Sequence, residues 1–271
     1  MNQSLISVGL DQLLTANLTA GNLKDNDIEI TAESTILMGW PWNKSSDSNS
    51  TAKDSDEMSD VLEPQSGPRS RMVELQLRQR GITDERILAA MLAVPRHRFV
   101  PTDSIGEAHG DHPVRIGHGQ TVSQPHIVAM MSQLLSDLPP EAKILEIGSG
   151  SGYQTAILVH MGFRVYAVER IDALASRAAA LLKELELKPT SIIVGNGHLG
   201  LSEFAPFDAI ICAAAADSLP KAWTEQLGPN GRIIAPTGPP KDQWLRRWTK
   251  LNGGLEVDDI CRVRFVPLVD D

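Results

Sequence analysis

Cysteine is nearly absent from this chain: there are two in 271 residues, Cys212 and Cys261, 49 positions apart. Neither has the close C-x-x-C partner of a metal or redox motif, so a disulfide scaffold is excluded and both read as reduced thiols of a cytosolic core. No apolar run approaches the roughly 20 residues needed to cross a bilayer. The opening MNQSLISVGLDQ lacks the basic start and apolar stretch of a secretory signal. A cytoplasmic location is therefore expected. A basic surplus is missing as well. Residues 1–63 hold 3 Lys and no Arg against 11 acidic residues, and the remainder holds 22 basic against 23 acidic. A near-neutral body behind an acidic extension has no electrostatic footprint for nucleic acid. Neither nucleic acid nor membrane is expected as a partner.

What is present suits one enzyme domain with a modest appendage: 42% of residues are apolar and 22% charged. Residues 44–70 are rich in Ser, Asp and Pro with little to bury, the composition of a flexible linker. Residues 1–43 are mixed, and read either as a poorly ordered extension or as a docking segment anchored by Trp40 and Trp42. The expected organisation is an acidic extension and linker over 1–70 and a catalytic domain over 71–271. Met72 could also serve as an alternative translation start.

From residue 71 the periodicity becomes regular. Residues 71–80 and 84–94 carry helical apolar spacing, with Gly81 between them and Pro95 ending the second. Strand-like runs follow at 143–150, 164–169, 191–196, 208–214 and 231–238, separated mostly by helical stretches at 152–161, 171–187 and 218–227. Alternation of this kind implies an α/β fold with a mostly parallel, doubly wound sheet. The runs 243–251 and 260–268 flank Asn252-Gly253-Gly254, a hairpin signal, so the sheet is expected to end antiparallel. That ending is the pattern of Rossmann-like methyltransferases.

The most informative segment is LEIGSGSGY, Leu145–Tyr153. An apolar strand runs into Gly148, Gly150 and Gly152, with Ser149 and Ser151 between them, and a helix begins at once. Glycines let the backbone approach a ligand closely. Glu169 ends the next strand, where a carboxylate can accept both hydroxyls of a ribose. A nicotinamide dinucleotide is the rival. Its G-x-G-x-x-G loop would need glycine where Tyr153 stands, and Glu146 would repel a pyrophosphate while suiting a sulfonium and an ammonium. The pattern points to S-adenosylmethionine as cofactor. Asn196, after the third strand, has an amide oxygen suited to the adenine amino group.

On these residues, and on MVELQLRQRGI (72–82), AVPRHRFVP (93–101), IGHGQTVSQP (116–125), PFDAII (206–211), the Ala213–Ala216 stretch and FVPL (265–268), the chain resembles the protein-L-isoaspartate O-methyltransferase family. The resemblance spans about Met72 to Leu268, and the G-x-G-Q-T-[IV]-S-x-P stretch is specific to that family. It implies an enzyme that methylates the α-carboxyl of L-isoaspartyl residues in damaged proteins or peptides for repair. It further implies that residues 119–123 form a loop over the active site, with Ser123 as the active-site serine and Thr121 and Val122 beside the cofactor. Glu146, the glycine loop, Glu169, Asn196, Gly197 and Gln243 are implied as cofactor contacts, and a strand over 265–268 as part of the peptide wall. A dedicated peptide substrate, or a scaffold without turnover, are the alternatives.

Three readings remain open at this point. Ser123-Gln124-Pro125 also fits a helix cap followed by a helix through Leu135. Asn196 stands where the family usually has Asp, keeping an acceptor oxygen and losing a charge. The family's aromatic-x-Asp-x-Pro-Leu-Pro-Ile-Gly run reads here from His109 to Gly117, with Arg115 in place of proline, either binding a second substrate carboxylate or pointing to solvent. His109, Asp111, His112 and His118 fit no common zinc spacing, so no metal is expected. Trp223, Trp244 and Trp248 read as core and sheet-face residues.

Overall fold

A computed structural model of the chain describes residues 66–269. Residues 1–65 of the expected extension and linker, with Trp40 and Trp42, lie outside the described residues, whereas its last five, 66–70, are helical. Helix α1 (Ser66–Arg71) continues as a π-type turn over Met72–Leu77 and a tight turn over Arg78–Arg80. The boundary expected at residue 71 thus falls inside a helical segment, which buries Met72, Val73 and Leu77. Helix α2 (Glu85–Ala93) starts where Asp84 caps it, its carboxylate accepting the N–H groups of Arg86 at 2.9 Å and Ile87 at 3.3 Å.

A small antiparallel pair comes next, β1 (Val114–Gly117) and β2 (Gln120–Val122), joined by His118-Gly119. The sequence reading took 119–123 as loop alone. Helix α3 (Pro125–Gln133) then leads into the main sheet: β3 (Lys143–Ile147), α4 (Tyr153–His160), β4 (Arg164–Glu169), α5 (Asp172–Glu184), β5 (Ser191–Val194), β6 (Phe207–Cys212), α6 (Lys221–Gln226), β7 (Leu227–Thr237), β8 (Gln243–Leu251) and β9 (Gly254–Val263). The spatial order is β5-β4-β3-β6-β7-β8-β9. Pairing is parallel from β5 to β7 and antiparallel for β7–β8 and β8–β9.

Alternate residues of the central strands feed two cores. Ile144, Val165, Ala209, Ile211 and Ile234 face one cluster, and Leu145, Tyr166, Ile210, Cys212 and Ile233 the other. That two-sided burial is why these strands read as continuous apolar runs. Trp223 is fully buried and Trp248 lies in the same core. The last strand differs from expectation. It leaves the Asn252-Gly253 turn directly and ends at Val263, so residues 265–268 are not a strand of the sheet. They run beside Ala215 instead, whose N–H donates to the Val266 carbonyl at 2.8 Å and whose carbonyl accepts from Leu268 N–H at 2.7 Å. Among the described residues no helix is long and apolar enough to cross a membrane.

The Asp84 cap makes a direct prediction. Asp84→Ala leaves two first-turn donors of α2 without their acceptor and is expected to cost about 1 kcal/mol. Urea unfolding should show a lower midpoint at an unchanged slope.

Candidate active site

β3 pairs with β4 on one side and β6 on the other, so the crevice beyond its carboxyl end is the topological switch point of the sheet. The glycine loop lies there. Gly148, Gly150 and Gly152 have φ of 80°, 54° and 86°, conformations that a side chain would strain. A Cβ on Gly152 would also meet Ala178 Cβ at 3.1 Å and Leu182 Cδ1 at 3.3 Å, so its absence lets α5 pack directly against the loop. Glu169 closes the arrangement from β4. One carboxylate oxygen accepts Gly150 N–H at 2.9 Å and the other accepts Ile171 N–H at 2.9 Å. An ionised carboxylate has about four acceptor positions, so two remain for hydroxyl groups.

Glu146 lies behind this loop, fully buried, and neither oxygen has a hydrogen-bond partner. Burial pushes its pKa up to about 8; the nearby Thr155 hydroxyl opposes the rise and the charge of Glu169 adds to it. An uncompensated buried carboxyl of this kind is costly in the charged form and is relieved by a neighbouring cation.

The opposite wall is built from chain segments outside the parallel sheet. Gln120, Thr121, Val122, Ser123 and Gln124 cross it, followed by Ile127 and Val128 on α3. Ser123 is not the cap of that helix: Gln124 holds the N-cap position, its side chain makes no cap bond, and Pro125 follows at the first turn. The Gln124 side chain donates to the Asp111 carbonyl instead, at 3.1 Å. The segment from Arg262 to Val269 forms the rim. Gln243, 5% exposed, holds that segment by its backbone, its amide donating to the Phe265 carbonyl at 3.2 Å and its oxygen accepting Phe265 N–H at 2.6 Å.

These walls enclose a cavity of about 770 Å³, within the size range of small-molecule sites. Of the residues singled out from the sequence, Thr121, Val122, Ser123, Gly148, Ser149, Gly150, Ser151, Glu169 and Gly197 line it. Glu146, Gly152, Asn196 and Gln243 do not. The Asn196 oxygen accepts His198 N–H at 2.9 Å and caps a short turn. Gly197 is small because of the sheet: a Cβ there would lie 2.6 Å from Ile147 Cγ2. Both Asn196 and Gln243 hydrogen-bond to backbone in this structure and lie outside the cavity lining. Arg115 is exposed opposite Thr121 and outside the lining, so it corresponds to the solvent-facing alternative.

Sequence reasoning missed Gln154, Arg170, Ile171 and Arg262 in the lining. The signal for the middle pair was available, since residues just past an acidic strand end share its crevice. Arg262 falls within the expected 260–268 strand, but of that strand only residues 265–268 were expected at the site. Of the histidines weighed as metal ligands, His109 instead lies 6.0 Å from His97, ring to ring and tilted by 48°, and burial, reinforced by neighbouring positive groups, brings both pKa values down to about 4. Asp111 pairs with Arg80. Among the described residues no three His, Cys, Asp or Glu side chains gather as a metal set.

A parallel sheet with an antiparallel end, a glycine loop at its switch point and an acid closing the next strand define a Rossmann-like methyltransferase. The comparisons narrow the class. The family model described as protein-L-isoaspartate(D-aspartate) O-methyltransferase matches residues 68–271. The protein-L-isoaspartate O-methyltransferase of Opitutus terrae is 48% identical over 200 residues, covering 73% of this chain and 85% of that protein. The one of Methylorubrum extorquens is 49% identical over 202 residues, covering 74% and 88%. A Plasmodium falciparum protein-L-isoaspartate O-methyltransferase solved with S-adenosyl-L-homocysteine superposes with a TM-score of 0.66 at 29% identity, covering 75% of this chain and 99% of its own. The chain belongs to the protein-L-isoaspartate(D-aspartate) O-methyltransferase family.

The raised pKa of Glu146 has a consequence for stability. A carboxyl whose folded pKa lies above its unfolded value stabilises fully below about pH 4.5 and loses that contribution as pH rises to about 8. His97 and His109, shifted down, act oppositely, but only between their folded pKa of about 4 and the unfolded 6.5. Between pH 6.5 and 8 the ligand-free protein should therefore lose stability at up to about 1.4 kcal/mol per unit, and Glu146→Gln should flatten that decline. Thermal unfolding across this window checks it; an equal slope in both proteins removes Glu146 as the cause.

Proposed function

We propose that this protein transfers the methyl group of S-adenosylmethionine to the α-carboxylate of L-isoaspartyl residues in damaged proteins and peptides. The observation that carries this reading is a single cavity with a glycine loop and Glu169 on one wall and the Thr121–Gln124 segment on the other. The residues present fit the cofactor. The loop backbone can lie against it, the free acceptor positions of Glu169 suit the ribose hydroxyls, and the unpaired Glu146 behind the loop, its pKa raised by burial, would ionise more readily beside a bound cation. When bound, S-adenosylmethionine supplies an electrophilic methyl carbon on a sulfonium.

The chain's own residues have a positioning task. A carboxylate is already the nucleophile at neutral pH, so no general base is required. What the enzyme must do is align the acceptor oxygen and exclude water. Ser123 faces the cavity with its backbone carbonyl held by Arg96 at 2.8 Å, and its hydroxyl can donate to the acceptor carboxylate. Gln243, through the Phe265 backbone, keeps the peptide-side rim in place. The acidic extension over 1–70 stands outside this mechanism, with turnover assigned to the remainder of the chain.

The test uses two peptides and one variant. With methyl-labelled S-adenosylmethionine, the protein is expected to label an isoaspartyl peptide and leave its aspartyl isomer unlabelled; equal labelling would refute repair while sparing methyl transfer. Ser123→Ala should bind S-adenosylmethionine nearly normally while its single-turnover rate falls about a hundredfold, the loss of on the order of 3 kcal/mol typical of one donor at a reacting centre. An intact rate would remove Ser123 from the reacting centre.

A further inference from the structure

The motif over residues 93–101 contributes nothing to the cavity lining, yet its Arg96 touches both walls from behind. Arg96 is wholly buried. Its Nε donates to the Ala108 carbonyl at 2.7 Å and its Nη2 to the Ser123 carbonyl at 2.8 Å. The guanidinium carbon lies 4.7 Å from the centre of the Tyr153 ring. Tyr153, itself 1% exposed, is the first residue of α4, next to Gly152 of the glycine loop. No carboxylate pairs with Arg96 among the described residues. Its charge is offset by two carbonyl dipoles and by the Tyr153 side chain, and its Nη1 is buried without a partner.

Burying a guanidinium without a counter-ion is costly, and burial lowers its pKa here. For packing alone an apolar side chain would serve better. What an apolar side chain cannot do is hold two carbonyls in a fixed plane while stacking on a ring. That combination requires the rigid fork of arginine, and lysine, with a compact ammonium on a flexible stem, cannot reproduce it.

We propose that Arg96 is a positioning residue for methyl transfer: it clamps the Ser123 backbone against Tyr153 and so fixes the acceptor loop relative to the cofactor loop. Because one residue carries both the clamped carbonyl and the hydroxyl, a looser clamp lets the hydroxyl drift from the acceptor oxygen. The inference rests on the role of Ser123 proposed above.

The experiment is a double-mutant cycle of Arg96→Lys and Ser123→Ala, read as single-turnover transfer to an isoaspartyl peptide at saturating S-adenosylmethionine. Rates are expressed per site counted by S-adenosylmethionine binding, so that loss of folded protein does not register as loss of rate. Arg96→Lys is expected to slow transfer by between about 10- and 100-fold, as for one charge-assisted hydrogen bond lost from a positioned group. Its affinity for S-adenosylmethionine should stay close to that of the parent. In the Ser123→Ala background the same change should have almost no further effect, because the clamp then has no hydroxyl to place. Multiplying effects, or an unchanged rate in Arg96→Lys, would overturn the proposal and leave Ser123 standing. A full rate in Ser123→Ala would overturn both. Should Arg96→Lys fail to fold, Arg96→Gln, with one planar donor group, is read in the same cycle.

Discussion

The site depends on one carboxylate bracing two stretches of backbone. Glu169 ends a parallel strand, and its two oxygens accept N–H groups from the glycine loop and from the turn that follows its own strand. Those amides would otherwise sit in a crevice with their hydrogen-bonding capacity unfilled. The brace holds the loop at the left-handed angles that only its glycines adopt without strain, and the missing Cβ of Gly152 lets α5 support it from behind. The shape of this wall of the cavity is thereby built into the end of the sheet. The same end carries an electrostatic imbalance, since Glu146 is buried without a partner one residue before the strand finishes.

The acceptor wall is held differently. Of the main sheet only the end of the antiparallel β9, Arg262 and Val263, reaches it. It consists of the short β1–β2 pair, the chain up to Pro125 and the segment after β9, each of which needs a tie from elsewhere. Arg96 ties the second and Gln243 the last, both by side-chain bonds to backbone. A division of labour follows: the end of the parallel sheet forms one wall of the cavity, and two polar anchors hold the other. Backbone anchors suit a peptide site, where a small displacement of either wall would misalign the reacting atoms.

How much of this was legible in the sequence follows from the range of the interactions. The glycine loop, Glu169 and the alternation of strands and helices are local patterns, and all could be read directly. The antiparallel finish was announced by Asn252-Gly253, but the extent of the last strand was not. Residues 254–259 are exposed and polar enough to look like loop, and only pairing with β8 makes them a strand. Asn196 and Gln243 illustrate a different limit. Both are polar residues near the site, and whether such a side chain meets a ligand or a backbone group is decided by tertiary placement. Gln243 and Phe265 are 22 positions apart; nothing in their spacing announces the bond. Ser123 was ambiguous for a local reason, because Ser-x-Pro reads as a helix start, and the structure gives the cap position to Gln124.

The central claim is that the loop braced by Glu169 is where S-adenosylmethionine binds, and calorimetry on Glu169→Ala tests it most directly. The protein must first be shown to be folded by circular dichroism, since the variant also frees two backbone amides. The account predicts an affinity for S-adenosylmethionine weakened by about 1.5–3 kcal/mol, the range of charge-assisted hydrogen bonds to hydroxyl groups. Unchanged affinity in a folded variant would contradict it and move the cofactor away from the end of the β4 strand.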